Sequence, residues 1–391
     1  MKTRILGNTG FAVSEVGLGC WQFGGDFGPI NEATVDGIID AAQETGINFF
    51  DTADVYGDGA SERFLGERLA ASKPRPFIAT KYGRAADTYP NGYSLSSLRD
   101  RIRTAQDRLR CDSIDLLQLH CVPLALLQRG EIFDWLRTVQ QEKLIKFFGA
   151  SVETVEEGLV CAQHDDLSSL QVIFNVFRQK LLDELLPKAQ EKNIGVIVRL
   201  PLASGMLSGK YNSNTRFAST DHRNYNKDGQ AFSVGETFAG IPFEKGVQLA
   251  DAVTAKTPAG YTTAQMAMRW ILDHPAVTTI IPGASRAEQV RENAKVSALP
   301  SLPHALCIKH THWHRMVFLR SVLHRACSRL STAASFSQAL WLLVGLAQRG
   351  RLQQMWPLKQ KHNNLTLSRS GMYHRQHRHQ HLLLRIPVLI P

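Results

Sequence analysis

Three ionisable residues of this chain stand where short apolar runs end, and a fourth lies close by. Asp51 follows Ile47-Asn-Phe-Phe50, Lys81 follows Phe77-Ile-Ala-Thr80 and His120 follows Ile114-Asp-Leu-Leu-Gln-Leu119, with Tyr56 in the segment just past Asp51. Taken singly, each is explained as a polar strand end that hydrogen-bonds a loop. Taken together they suit proton transfer. A phenol with a pKa of about 10 is a poor donor at neutral pH, but an ammonium beside it lowers that value and fits it to protonate a developing alkoxide. Asp51 would hold Lys81 charged and in place. A neutral His120 imidazole would hydrogen-bond a carbonyl oxygen and set its angle for hydride attack. The set predicts reduction of a carbonyl group.

Such residues need a scaffold that brings strand ends together. Val16–Gly19, Ile47–Phe50, Phe77–Thr80, Ile114–Leu119, Ile145–Phe148, Leu170–Phe174, Gly195–Val198 and Val277–Ile281 are short apolar runs bounded by turn residues, the pattern of buried strands. Helical spacing separates several of them: Val35, Ile38, Ile39 and Ala42; residues 61–71; Leu95, Leu98, Ile102 and Ala105; Ile132, Trp135, Leu136 and Val139. Gly7-Asn-Thr-Gly10 between two apolar pieces, Arg4 to Val13, reads as a β-hairpin ahead of the main fold. Eight strands, most followed by a helix, predict an α/β fold of the (β/α)8 (TIM barrel) type whose hairpin caps one end. The competing doubly wound sheet calls for GxGxxG at its first helix, and Gly17-Leu-Gly19 continues as Cys20-Trp-Gln22 without the third glycine.

Phe50-Asp-Thr-Ala-Asp-Val-Tyr-Gly57, Thr80-Lys81 and Leu117-Gln-Leu-His120 resemble the aldo-keto reductases, in their bacterial type. So do Thr3-Arg-Ile-Leu-Gly-Asn-Thr-Gly10, Val16-Gly-Leu-Gly-Cys-Trp21, Phe23-Gly-Gly25 and Ile281-Pro-Gly283 with Glu292-Asn293. The resemblance covers roughly residues 1–304. It implies that Asp51, Tyr56, Lys81 and His120 form the catalytic tetrad, and that NADPH (NADP) binds in extended form without a dinucleotide-binding fingerprint. Ser151 and Gln171 would hold the nicotinamide carboxamide, with Val152 where many relatives have asparagine. Arg199 would lie against the ring or reach a phosphate oxygen. Leu202-Ala-Ser-Gly-Met-Leu-Ser-Gly-Lys210 would cover the pyrophosphate, through Leu202, Ser204, Gly205 and Lys210. Beyond Gly283, where some relatives have lysine, Ser285 and Arg286 would hold the adenosine 2′-phosphate, and Gln289, Glu292 and Asn293 would surround the adenine side. Trp21, Phe23 and Tyr82 read equally as an apolar wall for the substrate or as core aromatics. The implied partner is a small-molecule carbonyl compound, an aldehyde, a ketone or a sugar. Two further readings stay open on this scaffold: an NADPH-binding regulatory subunit with little turnover, and a sugar or polyol dehydrogenase.

Composition divides the chain. Of 45 Lys and Arg, 13 lie beyond residue 304, where there is no Asp or Glu; the remaining 32 face 35 acidic residues. The excess of +10 therefore belongs to the end of the chain, and the body carries no basic surplus for nucleic acid or an anionic membrane. The six cysteines show no CxxC pair, and no stretch has the roughly 20 apolar residues of a membrane span. These features predict a cytoplasmic protein with reduced thiols and no metal in the body. Residues 305–391 form an atypical basic tail. His310-Thr-His-Trp-His314 and His374-Arg-Gln-His-Arg-His-Gln-His381 read as metal-binding tracts or a basic arm. A reading frame that shifts near residue 305 accounts better for composition without periodicity, and such a tail is expected to be disordered or poorly packed.

Overall fold

The expected hairpin forms at the start of the chain, with β1 (Thr3–Ile5) antiparallel to β2 (Ala12–Ser14) and Arg4 opposite Val13. Gly7 in its turn has a positive φ, and a Cβ there would stand 2.3 Å from the Ser168 carbonyl oxygen. Only glycine lets the turn seat so closely on the strands behind it.

Eight strands follow, in a computed structural model that describes residues 1–303. They are β3 (Leu18–Gly19), β4 (Phe49–Asp51), β5 (Phe77–Tyr82), β6 (Ile114–His120), β7 (Ile145–Ser151), β8 (Ser169–Ile173), β9 (Gly195–Arg199) and β10 (Val277–Ile280). Each pairs in parallel with its neighbour in chain order. Parallel bridges Val16 to Ile280 and Gly19 to Gly283, with Gly17 N–H donating to Ile280 O at 2.8 Å, close the ring. The barrel expected from the run of strands is the barrel observed.

The helices are α1 (Glu32–Glu44), α2 (Ala60–Leu69), α3 (Leu95–Leu109), α4 (Leu124–Arg129), α5 (Glu131–Gln141), α6 (Val155–Cys161), α7 (Leu185–Glu191), α8 (His222–Tyr225), α9 (Phe243–Thr254), α10 (Thr263–Leu272) and α11 (Ala287–Ala294). Their starts are encoded locally. Asn31 and Ser94 accept the backbone N–H of Thr34 and Ser97, and Thr154 with Glu157 and Thr262 with Gln265 complete capping boxes. No helix among the described residues is long and apolar enough to cross a membrane.

Strand alternation sorts the two faces of the barrel wall. Phe50, Ile78, Leu117, Leu119, Phe148, Leu170, Val196 and Val198 belong to the larger core, with the buried helix faces. Phe49, Phe77, Ala79, Leu116 and Ile197 form a separate buried cluster with Leu6 and Val13 of the hairpin, and the Phe11 ring packs tilted against Phe77 with centroids 4.3 Å apart. Hairpin side chains thus plug the end of the barrel where the strands begin. Two or four residues further along, the inward face turns polar, with Asp51, Lys81, His120, Ser151 and Arg199 at or next to the carboxyl ends of their strands and Gln118 and Gln171 one step below them. The tail expected from residue 305, with its two histidine tracts, lies outside the described residues.

Candidate active site

Asp51 is buried at the end of β4 and its two carboxylate oxygens are differently held. Oδ2 accepts from Lys81 Nζ at 2.6 Å, while Oδ1 accepts from Gln118 Nε2 at 3.0 Å and Gln171 Nε2 at 2.6 Å. Lys81 Nζ also donates to the Thr52 carbonyl at 2.7 Å and to the Tyr56 hydroxyl at 3.2 Å. Burial alone would lower the lysine pKa, but Asp51 and Tyr56 outweigh it and hold Lys81 above its ordinary value. The Tyr56 and His120 rings meet edge to face at 6.1 Å. Burial, reinforced by the charges of Arg84, Lys81 and Arg199, holds His120 well below the usual histidine range, so the imidazole is neutral.

Tyr56 departs from expectation. Burial pushes its phenol up to about 12, and Asp51 and Glu236 add to the rise, whereas Lys81 opposes it. The ammonium is in contact as anticipated, yet desolvation of the phenolate is the larger effect. The consequence is a phenol that keeps its proton through neutral pH, with a cation 3.2 Å away to receive the phenolate formed when the proton leaves.

A cavity of about 430 Å³ opens over this set. Asp51, Tyr56, His120, Trp21 and Gln171 line it, as do Arg199, Leu202, Ser204, Gly205, Lys210, Gly283, Ser285, Arg286, Gln289, Glu292 and Asn293. Lys81 and Ser151 stand behind the wall. Ser151 Oγ donates to Gln171 Oε1 at 3.3 Å. With its Nε2 on Asp51, Gln171 is therefore engaged in the tetrad's own network as well as facing the cavity. Ser285 N–H and Oγ both donate to Gln289 Oε1. Phe23 and Tyr82 do not line the cavity. Tyr82 follows the inward-facing Lys81 by one residue, so alternation sends it outward, against Tyr93 and the Ser97 hydroxyl. Phe23 is buried against Phe64 of α2. Of the three aromatics that read equally as wall or core, Trp21 lines the cavity, its ring near-parallel to that of Tyr56 at 6.0 Å, and the other two are core residues.

Charged side chains of both signs line the cavity. Leu200, Ala203, Ser204, Gly205 and Gly209 all have positive φ, and the tight turn they form is held by its own backbone, with the N–H groups of Ala203, Gly205, Met206, Leu207 and Ser208 donating to carbonyls within it. Lys210 and Arg286 add positive charge. Gln22 Oε1, on the wall, is buried without a partner and is an acceptor for an incoming N–H group.

Part of the wall comes from the long excursion between β9 and α9. Its Glu236, nearly fully buried, is paired to Arg84 at 3.0 Å and to Arg199 at 3.5 Å, and Arg84 also holds Glu153 at 2.9 Å. Asp26 ties the same segment to the loop after β3, accepting from the Trp21 indole at 2.8 Å and the Tyr225 hydroxyl at 3.0 Å. Cys121, Glu153 and Glu236 bring potential ligand atoms within 4.8 Å of one another. Both carboxylates are already held by arginines, and burial pushes the Cys121 thiol up to about 11, so the group is an ion-pair network rather than a cation site. Arg84→Met removes one of two cations from a buried carboxylate and should weaken closure of residues 211–241 by about 1–3 kcal/mol. Limited proteolysis should then cut this segment several-fold faster than in the wild type; unchanged cleavage would show that Glu236 does not fasten it.

Gln118, Gln22, Arg84 and Glu236 were not singled out by sequence. Gln118 left a signal, being polar in an apolar strand and two residues before His120, hence on its face. Glu236 left none, since its segment has no period.

Comparisons with known proteins agree with this architecture. The model of the aldo/keto reductase family matches residues 15–305. L-galactose dehydrogenase of Arabidopsis thaliana is 30% identical over 315 residues, 77% of this chain and 90% of that protein. A probable voltage-gated potassium channel subunit beta from the same plant is 29% identical, over 77% of this chain and 93% of that one. Among solved structures, the glycerol dehydrogenase of Gluconobacter oxydans superposes with a TM-score of 0.62 at 28% identity, covering 77% of this chain and 91% of its own.

Proposed function

The chain belongs to the aldo/keto reductase family, and on that premise we propose that it is an NADPH-dependent reductase of aldehyde or ketone carbonyls with Tyr56 as general acid. The observation that carries this reading is Lys81, whose ammonium touches both the Asp51 carboxylate and the Tyr56 hydroxyl at the floor of the cavity. NADPH, when bound, supplies the hydride. Neutral His120 donates a hydrogen bond to the carbonyl oxygen and orients it. As a C–H bond forms at the carbonyl carbon, the oxygen gains negative charge and takes the Tyr56 proton. Lys81 then stabilises the phenolate until solvent reprotonates it.

Arg199, beside Cys121 and the Val152 carbonyl, stands at the reacting end and favours the ring over the phosphates as its contact. Trp21 would cover the substrate. Lys210 and the left-handed turn around Ser204 and Gly205 would hold the pyrophosphate, and Arg286 with Ser285 the 2′-phosphate, leaving Gln289, Glu292 and Asn293 to the adenosine. Arg286→Ala should weaken NADPH about ten- to a hundredfold, the value of one or two charge-assisted hydrogen bonds, and leave NADH nearly unaffected. Fluorescence titration with both nucleotides checks this; equal losses would place Arg286 elsewhere.

The potassium channel subunit among the relatives keeps a second reading in view, a cofactor-binding regulatory subunit. Turnover with simple aldehydes separates the two. The two sugar- and polyol-named dehydrogenases favour a third. Oxidation needs Tyr56 as phenolate, which burial opposes, so the groups as they stand suit reduction at neutral pH. A cytoplasmic setting goes with this reading. The family match stops at residue 305, which supports a barrel over 1–304 and a foreign segment from 305 to 391.

A further inference from the structure

Gln118 precedes His120 by two residues on β6, so its side chain enters the barrel on the same face, one step below the imidazole. It is fully buried and does not line the cavity. Its side chain makes one hydrogen bond, from Nε2 to Asp51 Oδ1 at 3.0 Å, and its Oε1 has no partner. A buried amide with an unbonded oxygen is costly, and leucine or methionine would fill the place without that cost. What the amide supplies in exchange is a second donor to Asp51 Oδ1, beside Gln171 and on the side away from the ligand.

We propose that Gln118 is a positioning residue for proton transfer, fixing the Asp51 carboxylate with Oδ2 turned to Lys81 and so the ammonium against the Tyr56 hydroxyl. The proposal rests on the reading of Tyr56 as general acid. Gln171 donates to the same oxygen but faces the cavity, where a ligand competes for it; Gln118 is held out of that competition. The charged and titratable groups that act on the Asp51–Lys81 pair are Tyr56 from the loop after β4, His120 from β6, Cys20 from the turn after β3 and Glu62 from α2, with Glu236 from the excursion after β9 acting on Tyr56. None of them replaces the amide as a donor to Oδ1.

The test uses the full chain with Gln118→Leu and Gln118→Glu, NADPH and a simple aldehyde across a pH series, and a crystal structure of Gln118→Leu. In Gln118→Leu, kcat should fall about ten- to a hundredfold with both KM values unchanged, and the Asp51 carboxylate should turn from Lys81. Gln118→Glu keeps a donor while the introduced carboxyl is protonated. Much of the lost rate should therefore return at low pH and disappear as pH rises, because a second carboxylate opposes Asp51 and destabilises the Tyr56 phenolate. The wild type is expected to show no such falling limb. A wild-type kcat in Gln118→Leu, an unmoved Asp51, or a Gln118→Glu profile parallel to wild type would overturn the proposal. Failure of the reductase reading looks different: the wild type itself would not turn over, and the position of Asp51 in the variant structure would then decide the positioning claim alone.

Discussion

Tyr56→Phe is expected to lower kcat for aldehyde reduction by about 10²–10⁴, the usual worth of a positioned general acid, while NADPH binding stays within a few-fold of wild type. The phenyl ring keeps the parallel contact with Trp21 and the edge contact with His120, so what is removed is the proton and the oxygen that Lys81 holds. The wild-type pH profile carries the same information. With burial pushing the phenol up to about 12, the proton remains in place and Tyr56 contributes no falling limb to the reductive rate between about pH 6 and 9. A limb there that vanishes in Tyr56→Phe would mean that the bound ligands lower the phenol far more than the protein alone does. Steady-state kinetics with a binding titration measures both quantities.

Lys81→Met should cost about 3–5 kcal/mol of stability in addition to activity, because it strands a carboxylate in the barrel interior. The lysine side chain is fully buried and that of Asp51 is 4% exposed, so water does not take the place of the ammonium, and the Thr52 carbonyl loses a donor as well. The melting temperature should drop on the order of 10 °C. Asp51→Asn in the same chain should return most of the loss, since an amide carries no charge to strand. Lys81 is held above its ordinary 10.5, so its contribution is complete at neutral pH and is lost only as pH rises through the raised value. Thermal melts of the single and double variants read the coupling directly; additive losses would mean that the pair is not a unit.

Lys81 was legible because the barrel makes position along a strand equivalent to position in space, and Tyr56 because it lies in the loop just past such a position. Asp51, Lys81 and His120 each end an apolar run, and any residue ending such a run on the inward face must point at the barrel mouth. The strands and the hairpin were readable from the same short-range patterns. Tyr82 shows where that reasoning stops, since one residue of alternation divides the cleft from the helix layer and the apolar run does not mark which side faces in. The raised Tyr56 also lay beyond reach. A motif tells which charges are near, whereas desolvation depends on how completely the wall closes, and Glu236 contributes to that wall from an aperiodic segment far along the chain. Gln118 sat in view within Leu117-Gln-Leu-His120, its partner on another strand and its role visible only once β4 and β6 were brought together.

The measurement that bears most directly on the whole account is product formation by the purified full chain with NADPH and an aldehyde, counted against NADPH consumed. One alcohol per NADPH, with both signals absent in Tyr56→Phe, is the predicted result. Tight NADPH binding without alcohol from any aldehyde or ketone offered would contradict it and leave a cofactor-binding subunit as the better description.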